Sequence, residues 1–318
     1  MTTIDSHMHI GLAGFDAESI IHEMDLRGID QSWLLTWKEV HPPVPELHMD
    51  LPVEPILEAC HRYPERLIPF FAPDPAIENL KDQFNQILRK GIQGCGELKV
   101  SRKWDDPLIG NYLELVQQLD MALVFHMEIP SLYYIQEKQG YIQWIFERLM
   151  NDKYNGVSRY YITRFAEVTG ILKKKISRNQ VLFPGILFDF EALEQRIKEF
   201  PRIRFIGHGP DFWNHIGATR HPKYIHQKGQ ITEFGIIDGL LEQYGNFYCD
   251  ISGTSGYNAL NRDKDKSRIF LQKHAQKILF GTDNTRFPLK QLLESMKLGQ
   301  ETMEDIMHRN ATRVLYSK

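Results

Sequence analysis

The chain has 318 residues, 42% of them hydrophobic and 25% charged, with a net charge of -3. Those proportions exclude a disordered, collagen-like or coiled-coil chain, and the near-neutral charge gives no electrostatic reason to bind nucleic acid or an anionic membrane. No run approaches the roughly 18 uninterrupted apolar residues of a membrane span, and the start, MTTIDSHMHIG, lacks the basic-then-apolar order of a secretion signal. Cys60, Cys95 and Cys249 are odd in number and far apart, which fits a reducing compartment, so the expected location is the cytoplasm.

Along the chain, short apolar runs alternate with helical patterns. The runs are Thr3 to His9, Ser32 to Trp37, Leu67 to Ala72, Gly94 to Val100, Ala122 to Met127, Arg204 to Gly207, Asn246 to Ile251 and Lys277 to Phe280. Continuous runs of this kind are expected of strands buried on both faces, as in a parallel sheet. Helical patterns at Ser19 to Arg27, Glu54 to Tyr63, Ile77 to Arg89 and Ile109 to Asp120 lead into the second to fifth runs. Phe190 to Phe200, Ile231 to Tyr244 and Ser267 to Gln276 lead into the last three.

Eight strands alternating with helices predict an α/β fold, a (β/α)8 TIM barrel. A doubly wound sheet would carry a glycine-rich phosphate turn after its first strand, and HMHIGLAG lacks the GxGxxG spacing. The fifth and sixth runs stand much farther apart than the others. The surplus, a segment at about 131–185 between Pro130 and Pro184, contains YNGVSRYYITRFAEVTG and the basic KKKISR. It follows the C-terminal end of a strand, the active-site side of a barrel, and reads as a lid, an oligomer contact or a helical elaboration that merely packs. A second insertion, Lys38 to Pro52, carries four prolines with His41 and His48. Nothing in the composition marks a second independent domain, so residues 1–318 read as one domain, with a homo-oligomer open.

The sharpest local feature is IDSHMHIG. His7 and His9 are two apart, so on a strand both project to one face, where two imidazoles can hold one divalent cation. Alone this spacing is weak. Its weight comes from the other strand ends: His126 ends ALVFHME, His208 ends RIRFIGHG, Asp283 ends KILFGTD, and Glu97 and Lys99 share a face in GCGELKV. A barrel brings such ends into one ring, which predicts a metal site there. Lower in rank are Trp213, with Asp211 and His215 in the loop GHGPDFWNH, as a surface for stacking on a flat substrate; Tyr257, after Asp250 and Ser252 in the glycine-containing loop of DISGTSGYN, able to order over substrate; and Arg286, as a two-point carboxylate holder. His22, His61, His274 and His308 fall on helical patterns outside the ring and are assigned no catalytic role.

These strand ends together resemble the amidohydrolase superfamily, and within it the amidohydrolase-2 branch that includes aminocarboxymuconate semialdehyde decarboxylase and sugar lactonases. The resemblance spans the whole chain. It implies that His7, His9, His126 and Asp283 are metal ligands, and that His208 is either a ligand to a second metal or a catalytic histidine beside one. FGTDNTRFP looks like the branch's "GSDYP" or "GTDWP" turn, with two extra residues before the proline. The departure lies on strand four, where binuclear members usually bridge their metals with a carboxylated lysine. Glu97 is the preferred bridge here, because it is a carboxylate without modification; Lys99 is then a salt-bridge partner or the holder of an anionic group of the substrate.

The leading expectation is a metal-dependent hydrolase acting on an amide, ester or lactone of a small molecule. Zinc is the default ion, manganese or iron suits the same ligands, and one or two ions are open. Asp283 orients the attacking water and carries its proton, while His208 stabilises the oxyanion or assists proton transfer. A decarboxylase of a small aromatic acid is the alternative on the same site, suited by Trp213, Arg286 and Tyr257. A non-catalytic barrel is the third reading.

Overall fold

All eight apolar runs become strands in the computed structural model, which describes residues 2–37, 50–136, 162, 176–221 and 224–316. Most of the Lys38 to Pro52 insertion, with His41 and His48, and most of the 131–185 segment lie outside the described residues. The eight are β1 (Ile4–Met8), β2 (Gln31–Leu34), β3 (Leu67–Pro69), β4 (Cys95–Leu98), β5 (Ala122–His126), β8 (Arg204–His208), β9 (Phe247–Asp250) and β10 (Ile278–Leu279). Two further strands, not expected from the sequence, lie between β5 and β8: β6 (Ser131–Gln136) and β7 (Ile176–Phe183).

The fold is α/β with parallel sheets. One sheet runs β1-β2-β3 and another β10-β9-β8-β5-β4, all pairs parallel. A parallel bridge between Phe70 and Gly94 joins the chain after β3 to the chain before β4. At the other end the Ser6 N–H donates to the Phe280 carbonyl, 2.9 Å, beside β1 and β10.

Helices separate the parallel strands, and their ends follow local chemistry. In α1 (Ala17–Arg27) the Asp16 carboxylate accepts from the Ser19 N–H while the Ser19 hydroxyl accepts from the Asp16 N–H, a reciprocal cap, and Gly28 ends the helix at φ 62. The crossovers α2 (Val53–Arg62) and α3 (Leu80–Leu88) follow. Asp106 caps α4 (Pro107–Gln118), whose first residue is a proline with no N–H to satisfy. Asp189 caps α5 (Phe190–Glu199). The segments expected as loops directly after β8 and β9 form helices, α6 (Pro210–Asn214) and α8 (Gly253–Asn261), while α7 (Ile236–Gln243) and α9 (Lys264–Lys273) fall on the expected helical patterns.

The chain divides into two compact units. The larger comprises residues 1–40, 49–129 and 185–318 and holds the parallel sheets. Its core joins Ile4, Trp33, Leu35, Ile68, Phe70, Ala122, Val124, Ile206, Tyr248 and Leu279, with Trp33 stacked on Phe70 at 4.6 Å. Side chains two apart share a strand face, so Val124 and His126, Ile206 and His208, and Tyr248 and Asp250 continue the same rows. Each row is apolar until its C-terminal residue, which is ionisable. In the other unit the described strands β6 and β7 pair antiparallel, Ser131 opposite Phe183 and Tyr134 opposite Gln180. No helix among the described residues is long and apolar enough to cross a membrane.

Candidate metal centre

Strand β1 and the turn after β10 are joined along their length, and that junction fixes the first candidate ligands. Asp5, at 0% exposure, accepts from the His7 N–H (3.0 Å), the Thr282 N–H (2.9 Å) and the Thr282 hydroxyl (2.6 Å). The Asp283 N–H donates to the His7 carbonyl at 2.7 Å. Asn284 brackets the His9 peptide, accepting from its N–H at 2.7 Å and donating to its carbonyl at 2.8 Å. Asp283 and Asn284 sit at φ 51 and 53, the left-handed region that Asp and Asn tolerate best after glycine.

Both histidine rings are committed at one nitrogen. His7 donates from Nδ1 to Asp250 Oδ2 at 2.6 Å, and His9 donates from Nδ1 to the Leu35 carbonyl at 2.8 Å. Their Nε2 atoms therefore face each other, 3.0 Å apart and fully buried. Two lone pairs at that distance repel unless a proton or a cation stands between them. Glu97 Oε2 lies 3.5 Å from His9 Nε2 and 3.8 Å from His7 Nε2; Asp283 Oδ1 lies 3.5 Å and 3.9 Å from the same atoms. Ligand bonds of about 2.0–2.1 Å in a tetrahedron put donor atoms about 3.3 Å apart. The four donors converge at nearly that spacing, and Glu97 Oε2 is buried with no hydrogen-bond partner. The donor set fits a divalent ion.

The second oxygen of Glu97 faces elsewhere. Oε1 accepts from His126 Nδ1 at 2.8 Å, leaving His126 Nε2 buried without a hydrogen bond and 3.5 Å from Glu128 Oε2. Glu97, His126 and His208 form a second group of converging donors, His7, His9 and Glu97 the first, and His7, His208 and Asp250 a third. The expected ligand His126 converges with Glu97 and His208, while the carboxylate facing His7 and His9 on this side is Glu97. His208 is held by β9, where the Ser252 hydroxyl donates to Asp250 Oδ2 at 2.9 Å and accepts from His208 Nδ1 at 3.2 Å. Its Nε2 then faces Asp283 Oδ2 at 3.7 Å. Gly253, at φ 69, passes beneath: a Cβ there would lie 2.6 Å from Asp283 Oδ2 and 3.3 Å from His208 Cε1.

Charge follows from this packing. Burial raises the Asp283 carboxyl, but His208, His7 and His9 outweigh it and bring the pKa down to about 2. Burial likewise opposes ionisation of Glu97, and Lys99 and His126 hold it well below the usual carboxylate range. Both carboxylates are ionised at neutral pH.

The lower-ranked residues fare differently. Lys99 is 7% exposed, its Nζ 4.0 Å above the Trp37 ring, and the same ring packs 4.4 Å from His9. Trp213 is no stacking surface: it is 1% exposed, its indole N–H donates to the Asp250 carbonyl at 2.9 Å, and Phe212 and Phe270 pack its edges. Asp211, beside it, pairs with Arg220 at 2.7 Å, and His215 donates to the Asp211 carbonyl. Tyr257 lies on α8, not in a loop, and stacks on Phe287 at 4.8 Å. Arg286 points away from the donors, 74% exposed and paired with Glu23 of α1 at 3.1 Å. Asp250, Asn284 and Asp5 were not singled out as site members from the sequence. The signal for Asp250 was present, an acidic residue at the end of a buried strand.

No protein-family model matches the chain, and no curated protein sequence matches it. Solved structures do. A probable 2-pyrone-4,6-dicarboxylic acid hydrolase from Acinetobacter baumannii, with citric acid bound, is similar at 13% identity and a TM-score of 0.52, covering 99% of each chain. An amidohydrolase from Burkholderia multivorans with bound zinc aligns at 10% identity and 0.53, covering 99% of each. A 5-carboxyvanillate decarboxylase from Novosphingobium aromaticivorans, complexed with manganese, aligns at 13% and 0.51, covering 99% of this chain and 96% of that one. These are members of the amidohydrolase superfamily, and the chain shares their fold over its whole length.

Proposed function

We propose that the chain is an amidohydrolase-superfamily enzyme that uses a divalent cation to hydrolyse an amide, ester or lactone bond of a small molecule. The observation that carries this is the pair of buried Nε2 atoms of His7 and His9, 3.0 Å apart, closed in by Glu97 and Asp283. The two terminal links, Phe70 to Gly94 and Ser6 to Phe280, support a closed (β/α)8 barrel that gathers these strand ends. The segment at about 131–185 is read as an insertion in a single domain, and the three free cysteines fit a cytoplasmic enzyme.

His7, His9, Glu97 and Asp283 would hold the ion. Zinc is the first choice for imidazole with carboxylate, and manganese and iron suit the same donors. A bound divalent cation supplies Lewis acidity to a substrate carbonyl and to water. The residues do the rest. Asp283 divides its work between two oxygens: Oδ1 faces the histidine nitrogens, and Oδ2 faces His208. An ionised Oδ2 accepts the proton of an attacking water and returns it to the leaving group. His208, oriented by Ser252, directs Nε2 to the same space and stabilises negative charge there when protonated.

Non-oxidative decarboxylation is the second reading, favoured by the likeness to a manganese-containing decarboxylase. On it, Asp283 or His208 protonates the carbon that loses the carboxylate. Elemental analysis of the purified chain, together with a panel of lactones, N-acyl amino acids and aromatic acids followed for acid against carbon dioxide release, tests both. Bound metal with acid release supports hydrolysis. Carbon dioxide release selects the second reading, and a chain that takes up no divalent metal overturns both.

A further inference from the structure

We propose that Lys99 receives an anionic group of the substrate, so that the substrate is a small molecule bearing a carboxylate apart from the atoms that react. This rests on the metal-dependent reading above and names the class of molecule it acts on.

The argument is one of charge. Lys99 is 7% exposed and lies just past the end of β4, two residues after Glu97, and both Glu97 and His126 sense its charge, which puts its ammonium in the region of the ligands. Removing an ammonium from water is costly unless it gains an opposite charge or hydrogen bonds. Among the described residues Lys99 gains neither a hydrogen bond nor an ion pair within 4.0 Å: Glu97 senses its charge from farther off, and its close contact is with the Trp37 face, 4.0 Å from Nζ to the ring centroid. A cation over an indole is worth about 0.5–2 kcal/mol, well short of what desolvating the charge costs. Glu97 is the nearest candidate for neutralising it, but no carboxylate oxygen of a described residue lies within 4.0 Å of Nζ, and Oε2 of Glu97 points to His7 and His9. Two neutral imidazoles and two carboxylates balance a divalent ion. Once that ion binds, Glu97 is spent on it and the charge on Lys99 is left over.

Trp37 links the two places. Its ring touches both His9, 4.4 Å from centroid to centroid, and the Lys99 ammonium, 4.0 Å from its centroid. A substrate reaching from the ligands to Lys99 would run beside an indole, which suits an apolar stretch between its reacting carbonyl and its carboxylate. A neutral lactone or amide leaves Lys99 unpaired and binds more weakly.

The test uses the zinc-loaded full-length chain and paired chelating probes. Acetohydroxamate offers the chelating group alone; the half-hydroxamates of malonic, succinic and glutaric acid add a carboxylate at increasing reach. Calorimetry is expected to show at least one half-hydroxamate binding tenfold or more tighter than acetohydroxamate, with the preference shrinking as salt is raised. Lys99→Met should abolish the preference, read as the ratio to acetohydroxamate in the same variant, while Lys99→Arg should retain it. Equal affinities in the parent, or a preference that survives Lys99→Met, overturn the inference while the metal reading stands. A chain that takes up no zinc instead fails the metal reading and removes this inference with it.

Discussion

The side chain of Asn284 pairs with the backbone of His9 as a neighbouring strand would, one oxygen taking the N–H at 2.7 Å and one nitrogen giving to the carbonyl at 2.8 Å. An amide does this because it carries an acceptor and a donor side by side, as a peptide does. His9, a candidate ligand, is thereby held from the backbone on one side and from its Nδ1 on the other.

Asn284→Gly keeps the left-handed backbone and removes both bonds. Metal affinity should fall about 10- to 100-fold, the range seen when support behind a ligand is lost, and cobalt-loaded protein should change its visible spectrum. Competition with a chelating dye measures the first. Unchanged affinity and spectrum would show that β1 holds His9 unaided.

Asp250→Asn loosens two histidines at once, since Asp250 accepts from His7 and, through Ser252, orients His208. A loss of about 10- to 100-fold in metal affinity is expected, with a further fall in kcat measured at saturating metal. A variant that recovers full kcat once saturated would confine Asp250 to the His7 side.

Replacing Asp283 with asparagine keeps shape and one oxygen but removes the base. With metal retained in part, kcat should drop about 10²- to 10⁴-fold. Turnover near the parent rate would make Asp283 a ligand only, leaving the proton to His208 or solvent.

His208→Ala should abolish turnover. Elemental analysis of the variant then counts the ions: one equivalent kept means a single-metal site, and one lost of two means that the group of Glu97, His126 and His208 also holds an ion.

Metal uptake should release protons. In the metal-free chain burial pulls the His7 pKa down, but Asp250 and Glu97 more than reverse this and hold it well above the usual value. His9 is brought down to about 4 by burial and by the charge on His7. One proton thus occupies the place between the two Nε2 atoms at pH 7. A cation must displace it, so about one proton leaves per ion, and apparent affinity rises about tenfold per pH unit while His7 is still protonated in the free chain. Calorimetry in buffers of different ionisation enthalpy measures the release, and binding without it would contradict the assignment.

The eight parallel strands were legible because a strand buried on both faces has no polar alternation, and the candidate ligands because each interrupts such a run at its end. His7, His9, Glu97, His126, His208 and Asp283 were picked out this way, and the fold brings them together. The roles of Asp250 and Asn284 were not, because spacing says nothing about which ring nitrogen or peptide a side chain reaches across the sheet. Trp213 shows the opposite error. An aromatic just past a strand can face the mouth or turn inward, and here α6 forms and turns it under β9. Arg286 found Glu23, a partner on α1 that no local pattern joins to it. The β6 and β7 pair escaped notice because its strands lie far apart in the chain within a stretch rich in helix-compatible residues.

Gly253 sets these residues apart in how they tolerate change. Asp283, His208 or Lys99 can each be exchanged for a near relative and the result measured as a graded loss. At position 253 even a methyl group would stand 2.6 Å from Asp283 Oδ2, on a backbone turned to φ 69. No larger residue offers an intermediate step: the first added carbon already presses on the carboxylate. For anyone reshaping this chain toward a new substrate, that glycine is a fixed point, and variation has to begin from the residues on the far side of the ligands.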